Sequence, residues 1–97
     1  MGLIKLAAKF NGGIGNLSIH LKSQSKSYDV ESDVDNHDFN IPDAPKGSFI
    51  GVITGNAPNS AEGSIVLEIT GDINPMLIQT FKAGYIKPFA FGFDVIK

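Results

Sequence analysis

An alternation of period two runs through this chain. Ile4, Leu6, Ala8 and Phe10 alternate with Lys5, Ala7 and Lys9, and Leu17, Ile19 and Leu21 alternate with Ser18, His20 and Lys22. Ile65, Leu67 and Ile69 alternate with Val66, Glu68 and Thr70, and Phe89, Phe91, Phe93 and Val95 alternate with Ala90, Gly92 and Asp94. Successive side chains on a β-strand point to opposite faces, so each run predicts a strand with one buried face. No window of a dozen residues carries an apolar stripe at the 3.6-residue spacing of a helix.

Gly and Pro punctuate these runs. Asn11-Gly12-Gly13 follows the first, Asn56-Ala57-Pro58-Asn59-Ser60 precedes the run at 64–70, and Gly71-Asp72-Ile73-Asn74-Pro75 follows it. Turn signals recur about every ten residues, the rhythm of a sandwich or small barrel. Eight strands are predicted, near 2–10, 15–22, 26–32, 37–41, 48–54, 63–70, 77–82 and 87–96. A short helix is the alternative for 76–82, because Met76, Leu77 and Gln79 follow Pro75. Residues 48–54 are apolar on both faces, which predicts a central strand or one covered by a partner. Pro88 suits a first or edge position. Gly12-Gly13-Ile14-Gly15 reads as a flexible hairpin turn requiring positive φ, and Gly51 as a close backbone approach or a bulge.

The expected fold is therefore all-β: a single domain over residues 1–97, an antiparallel Greek-key β-sandwich of seven or eight strands. A chain of 97 residues buries about two thirds of its unfolded surface, enough for one core. The predicted core is Ile4, Leu6, Leu17, Ile19, Tyr28, Phe39, Ile41, Phe49, Ile53, Ile65, Leu67, Ile69, Phe89, Phe91 and Phe93.

Composition excludes several functions. All 8 basic side chains are lysines and none is arginine. Arginine is the residue suited to bidentate phosphate and guanine contacts. With a pI near 5.5 and no basic run, the chain is not expected to bind nucleic acid. There is no cysteine, which removes thiol catalysis, disulfides and zinc–cysteine sites together. No stretch approaches the ~20 apolar residues of a membrane helix. Lys5 and Lys9 interrupt the apolar start, so no secretory signal is read, and Leu6 stands where myristoylation wants Ser or Thr. Gly12–Gly15 lacks the Lys-Ser/Thr ending of a phosphate loop, and no Gly-x-Ser-x-Gly elbow is present. His20 and His37 read as surface histidines, and an enzyme is not expected. An alternating Phe stripe at 89, 91 and 93 reads as core rather than a stacking platform.

Charge placement is the most unusual feature. Asp29, Glu31, Asp33, Asp35, Asp38 and Asp43 account for six of the 10 acids, and no lysine lies between Lys26 and Lys46. Asp29, Glu31 and Asp33 share a strand face, where they repel unless solvated or bound to a cation. A calcium site using Asp33, Asp35 and Asp38 follows as one expectation, without the Gly and the bidentate Glu of an EF-hand loop. The other expectation is a solvated acidic edge that discourages sheet-to-sheet aggregation.

Residues 37–53 resemble a segment of the carboxypeptidase-regulatory-like and transthyretin-like β-sandwiches. There a strand ends in Phe-x-Ile, a Pro-containing loop ends in Gly, and an aromatic residue opens the next strand. Phe39, Ile41, Pro45, Gly47 and Phe49 occupy those places, and Asp33–Phe39 resembles the acidic turn before them, without its Gly. The resemblance implies a sandwich used as a spacer, assembly or binding module, with no catalytic residues. Apart from the calcium considered above, no cofactor is expected.

The functional expectation is a non-catalytic structural or interaction module: a small subunit or decoration domain with protein partners, its own copies among them. Ile50, Val52 and Val66 are the interface candidates, apolar residues on the second faces of their strands. The alternative is a ligand-binding module for calcium, a glycan or a lipid, using residues 29–43.

Overall fold

The computed structural model describes residues 1–32 and 36–97, with the side chains of residues 32–37 excepted. The strands are β1 (Gly2–Asn11), β2 (Asn16–Lys22), β3 (Ser27–Ser32), β4 (Asn36–Ala44), β5 (Gly47–Ala57), β6 (Ser64–Gly71), β7 (Ile73–Asn74), β8 (Leu77–Lys82) and β9 (Gly84–Val95). Two antiparallel sheets form. Sheet A has the order β4-β1-β6-β8, and sheet B the order β3-β2-β5-β9-β7. This is the all-β, two-sheet architecture that the alternation demands.

Eight of these strands coincide, to within a few residues at each end, with the eight expected. Residues 77–82 form a strand, because pairing with β6 places Phe81 in the core opposite Ile65. The ninth strand, β7, is a two-residue bridge inside the turn read at 71–75, pairing Ile73 with Val95 and Asn74 with Asp94.

The inner faces follow the predicted parity. Ile4, Leu6, Ala8 and Phe10 are buried on β1, while Lys5 and Lys9 are exposed. Ile65, Leu67 and Ile69 are fully buried on β6, with Leu17, Ile19, Leu21 and Ile53 facing them from sheet B. Each such side chain contributes about 1.5–3 kcal/mol when fully removed from water. Tyr28, Phe89 and Phe91 are half-buried and pack against this core. Phe39 departs from expectation: it is 40% exposed, because β4 is the edge of sheet A and offers a neighbour on one side only.

Strand β5 lies in the middle of sheet B, as its two apolar faces predicted. On its inner face a row of rings runs from Tyr28 to Phe49, Phe93, Phe91, Phe89 and Phe81, with centroids 5.5–6.5 Å apart. The ring of Phe91 lies over Gly51, its cross-strand partner; a Cβ there would meet the ring, with Cε1 at 2.7 Å. Gly51 is thus the close approach read from sequence.

One local expectation is corrected. Gly12 and Gly13 do adopt positive φ, 84° and 136°. Their turn, however, joins β1 of sheet A to β2 of sheet B and is not a hairpin. An arch between sheets lets the apolar faces of both strands meet across the core. Pro88 takes the edge alternative and not the first position: it lies four residues after the start of β9, where β7 leaves the far flank of that strand uncovered. Register runs Ile53↔Phe89 and then Gly55↔Ile86, so Lys87 and Pro88 together oppose Thr54. A bulge of this kind takes a proline without loss of a ladder bond.

Candidate protein-interaction face

Of the interface candidates, Ile50 and Val52 come together and Val66 does not join them. Ile50 and Val52 project from the outer face of β5, 65% and 38% exposed. Strand pairing sets their neighbours. One row across sheet B is Ser27, Lys22, Ile50 and Gly92; the next is Asp29, His20, Val52 and Ala90. The residues on β9 are small, so the two branched side chains stand above a low shelf on one side. On the other side they meet the polar residues of β2. Beside Ile50 a shallow depression of about 340 Å³ is bounded by Lys22, Ser23, Gln24 and Ser48. Ser48 Oγ donates to Asp94 Oδ1 at 2.7 Å, fixing the end of this surface across β5 and β9.

Val66 is half-buried on the outer face of sheet A, between Lys9 and Thr80 in register. With Ala7, Lys9, Asp38 and Glu68 it lines a separate shallow hollow. The two apolar surfaces therefore face away from each other on opposite sides of the sandwich.

Of the calcium candidates, Asp33 and Asp35 lie outside the described residues. Asp38 is exposed on β4, paired with Ala7. Among the described residues no three His, Asp or Glu side chains converge. Asp29 and Glu31 are exposed on β3 of sheet B, whereas Asp38 and Asp43 are exposed on β4 of sheet A. The described acids of this stretch are thus spread over the edges of two sheets. Asp29 Oδ1 lies 2.5 Å from Nδ1 of His20, a pair fixed by β2–β3 register and open to solvent.

One acid with a structural role was not singled out by the sequence. Asp72 Oδ2 accepts the Leu3 N–H at 2.9 Å, its own N–H donates to the Leu3 carbonyl at 2.8 Å, and its carbonyl accepts the Ile96 N–H at 2.9 Å. Lys97 Nζ lies 3.4 Å from Oδ1. The Leu3 N–H holds the Asp72 carboxyl below the usual carboxylate range, with Lys97 adding to the effect against an opposing push from burial. The only signal in the sequence was a Gly-Asp turn, which does not name such distant partners.

Among the described residues no helix is long and apolar enough to cross a membrane. Comparison with family models, curated proteins and solved structures gives no match.

Proposed function

We propose that this chain is a non-catalytic structural or interaction module, a small subunit or decoration domain of a larger protein assembly. The observation that carries this reading is the exposed pair Ile50–Val52 on a central strand, bordered by Ala90 and Gly92. Solvent-facing positions of a central strand are ordinarily polar, and a contiguous apolar strip at such positions marks a contact surface. The likeness of residues 37–53 to carboxypeptidase-regulatory-like and transthyretin-like sandwiches points the same way. The Greek-key connection pattern belongs to the same reading, supported by strands that mostly neighbour non-consecutive strands in their sheet.

Mass in solution, followed by light scattering from micromolar to near-millimolar concentration, tests the reading. The chain should form a discrete oligomer or polymer. Joint replacement Ile50→Lys and Val52→Lys should weaken that association and leave the melting temperature unchanged. A mass fixed at 10.3 kDa throughout would overturn self-association and make any partner a different molecule, and association untouched by the lysine pair would overturn Ile50 and Val52 as the contact.

A further inference from the structure

Among the described residues the sandwich has four open strand edges, and they are not alike. β4 carries Pro42 and shifts register against β1 between Gly2 and Ile4. β9, whose far edge β7 covers only at Asp94 and Val95, carries Pro88 at its bulge. Prolines and bulges stop an edge from recruiting any other strand, whereas edge charges of one sign repel only an edge of like charge. β3 and β8 have neither proline nor bulge. Each is six residues long and runs in unbroken register with its inner neighbour, β2 or β6. They lie on opposite flanks of the sandwich, since β3 leads into β4 and β8 leads into β9.

The two regular edges also differ in charge. β3 presents Asp29 and Glu31 to solvent and contains no lysine. β8 presents Ile78, Thr80 and Lys82 and contains no acid. Two β3 edges set together would repel, whereas β3 against β8 brings opposite charges together. Tyr28 on β3 and Leu77 on β8 are half-buried on the inner faces, so joining the edges would continue the core across the contact.

We propose that β3 of one copy pairs with β8 of a second copy, head to tail. Main-chain hydrogen bonds supply the affinity and the charges select the partner edge. The contact uses two different surfaces, so each added copy leaves a free β3 and a free β8, and the product is an open chain of copies or a ring. This rests on the assembly reading above and adds to it a second, lateral contact.

The test uses the full chain carrying Ile50→Lys and Val52→Lys, which removes the face contact and leaves the edges. Its mass should grow with concentration past two copies. Raising salt from about 0.05 to about 0.5 M should weaken that growth, because the charges at the joint are exposed. Further replacement Lys82→Glu, or separately Glu31→Lys, should weaken association about tenfold by setting like charges together. Mixing the two charge variants in equal amounts should restore growth, since every joint in the mixture can then pair opposite signs. Both positions are exposed, and unchanged melting temperatures would show that the fold is intact. A monomer in this background while the unaltered chain associates would overturn the edge contact and leave the face reading standing. A mass that stops at two copies would point to β8–β8 pairing and overturn it. So would charge variants that associate alone as well as they do mixed.

Discussion

Sheet A faces the core with Ile4, Leu6, Ile41, Ile65, Leu67 and Ile69, all aliphatic, with Phe10 and Phe81 towards one end. Sheet B faces it through β3, β5 and β9 with rings, and the row Tyr28, Phe49, Phe93, Phe91, Phe89 ends on Phe81 of sheet A. The two layers specify the fold differently. Branched aliphatic side chains interlock with little orientational demand, so volume matters more than shape. A ring row depends on where each ring can lie, and Phe91 can lie flat only because Gly51 has no side chain. One layer is tuned by how much it fills, the other by what is left empty beneath it.

The largest break in this comparison should come from the aliphatic layer. Leu67→Ala should cost about 2–5 kcal/mol in urea unfolding, because the fully buried site cannot close around the lost volume. Leu67→Met, nearly equal in volume, should cost less than about 1.5 kcal/mol. If the two variants cost the same, volume is not what sets this layer. Gly51→Ala comes next, at about 1–3 kcal/mol for overpacking against the ring. In a Phe91→Ala background the same replacement should cost under about 0.5 kcal/mol, since the atoms it would strike are gone. A penalty equal in both backgrounds would place the strain in the backbone and break the ring argument.

The smallest effect should lie outside both layers, at Asp72. Its carboxyl titrates below the ordinary value in the fold, so its charged form stabilises the protein above the unfolded pKa of about 3.9. That contribution is lost as pH falls through the depressed folded value. Asp72→Asn should lower the melting temperature at pH 7. The gap to the unaltered chain should narrow in acid, below a pH of about 4. A gap that is constant with pH would show that the hydrogen bonds matter and the charge does not.

Much of this could be read before the fold was known. The parity of buried positions follows directly from the spacing of Ile, Leu and Phe, and the central place of β5 follows from a strand apolar on both faces. Gly51 was legible because a glycine inside an apolar strand needs a reason, and close approach is a common one. Phe39 misled because its alternation is the same as that of a core residue. Its exposure comes from standing on an edge strand, which only the order of strands reveals. β7 and the bulge at Pro88 were hidden for a related reason, since both are set by what β9 meets rather than by their own residues. In the contact face, Ile50 and Val52 could be picked from sequence as a pair on one strand. That Val66 faces the other way required knowing that β5 and β6 belong to different sheets.

The order of strands also bears on how the chain reaches this state. Among the described pairings only β2 with β3 joins neighbours in sequence. Their turn is closed by the Ser23 N–H on the Lys26 carbonyl at 2.8 Å, with Ser23 Oγ accepting from the Lys26 N–H at 3.1 Å. That hairpin, together with the β6–β8 pair that closes across residues 70–76, is where sheet structure can start without waiting for distant segments to meet. The remaining pairings must first close long loops, which places folding on the slow, millisecond-to-second side of the range for small domains. During that wait β3 already has its partner β2 and β8 its partner β6, so both regular edges exist before the sheets are complete. In a crowded solution of unfinished chains, the two regular edges proposed to link completed copies are then also open to premature capture.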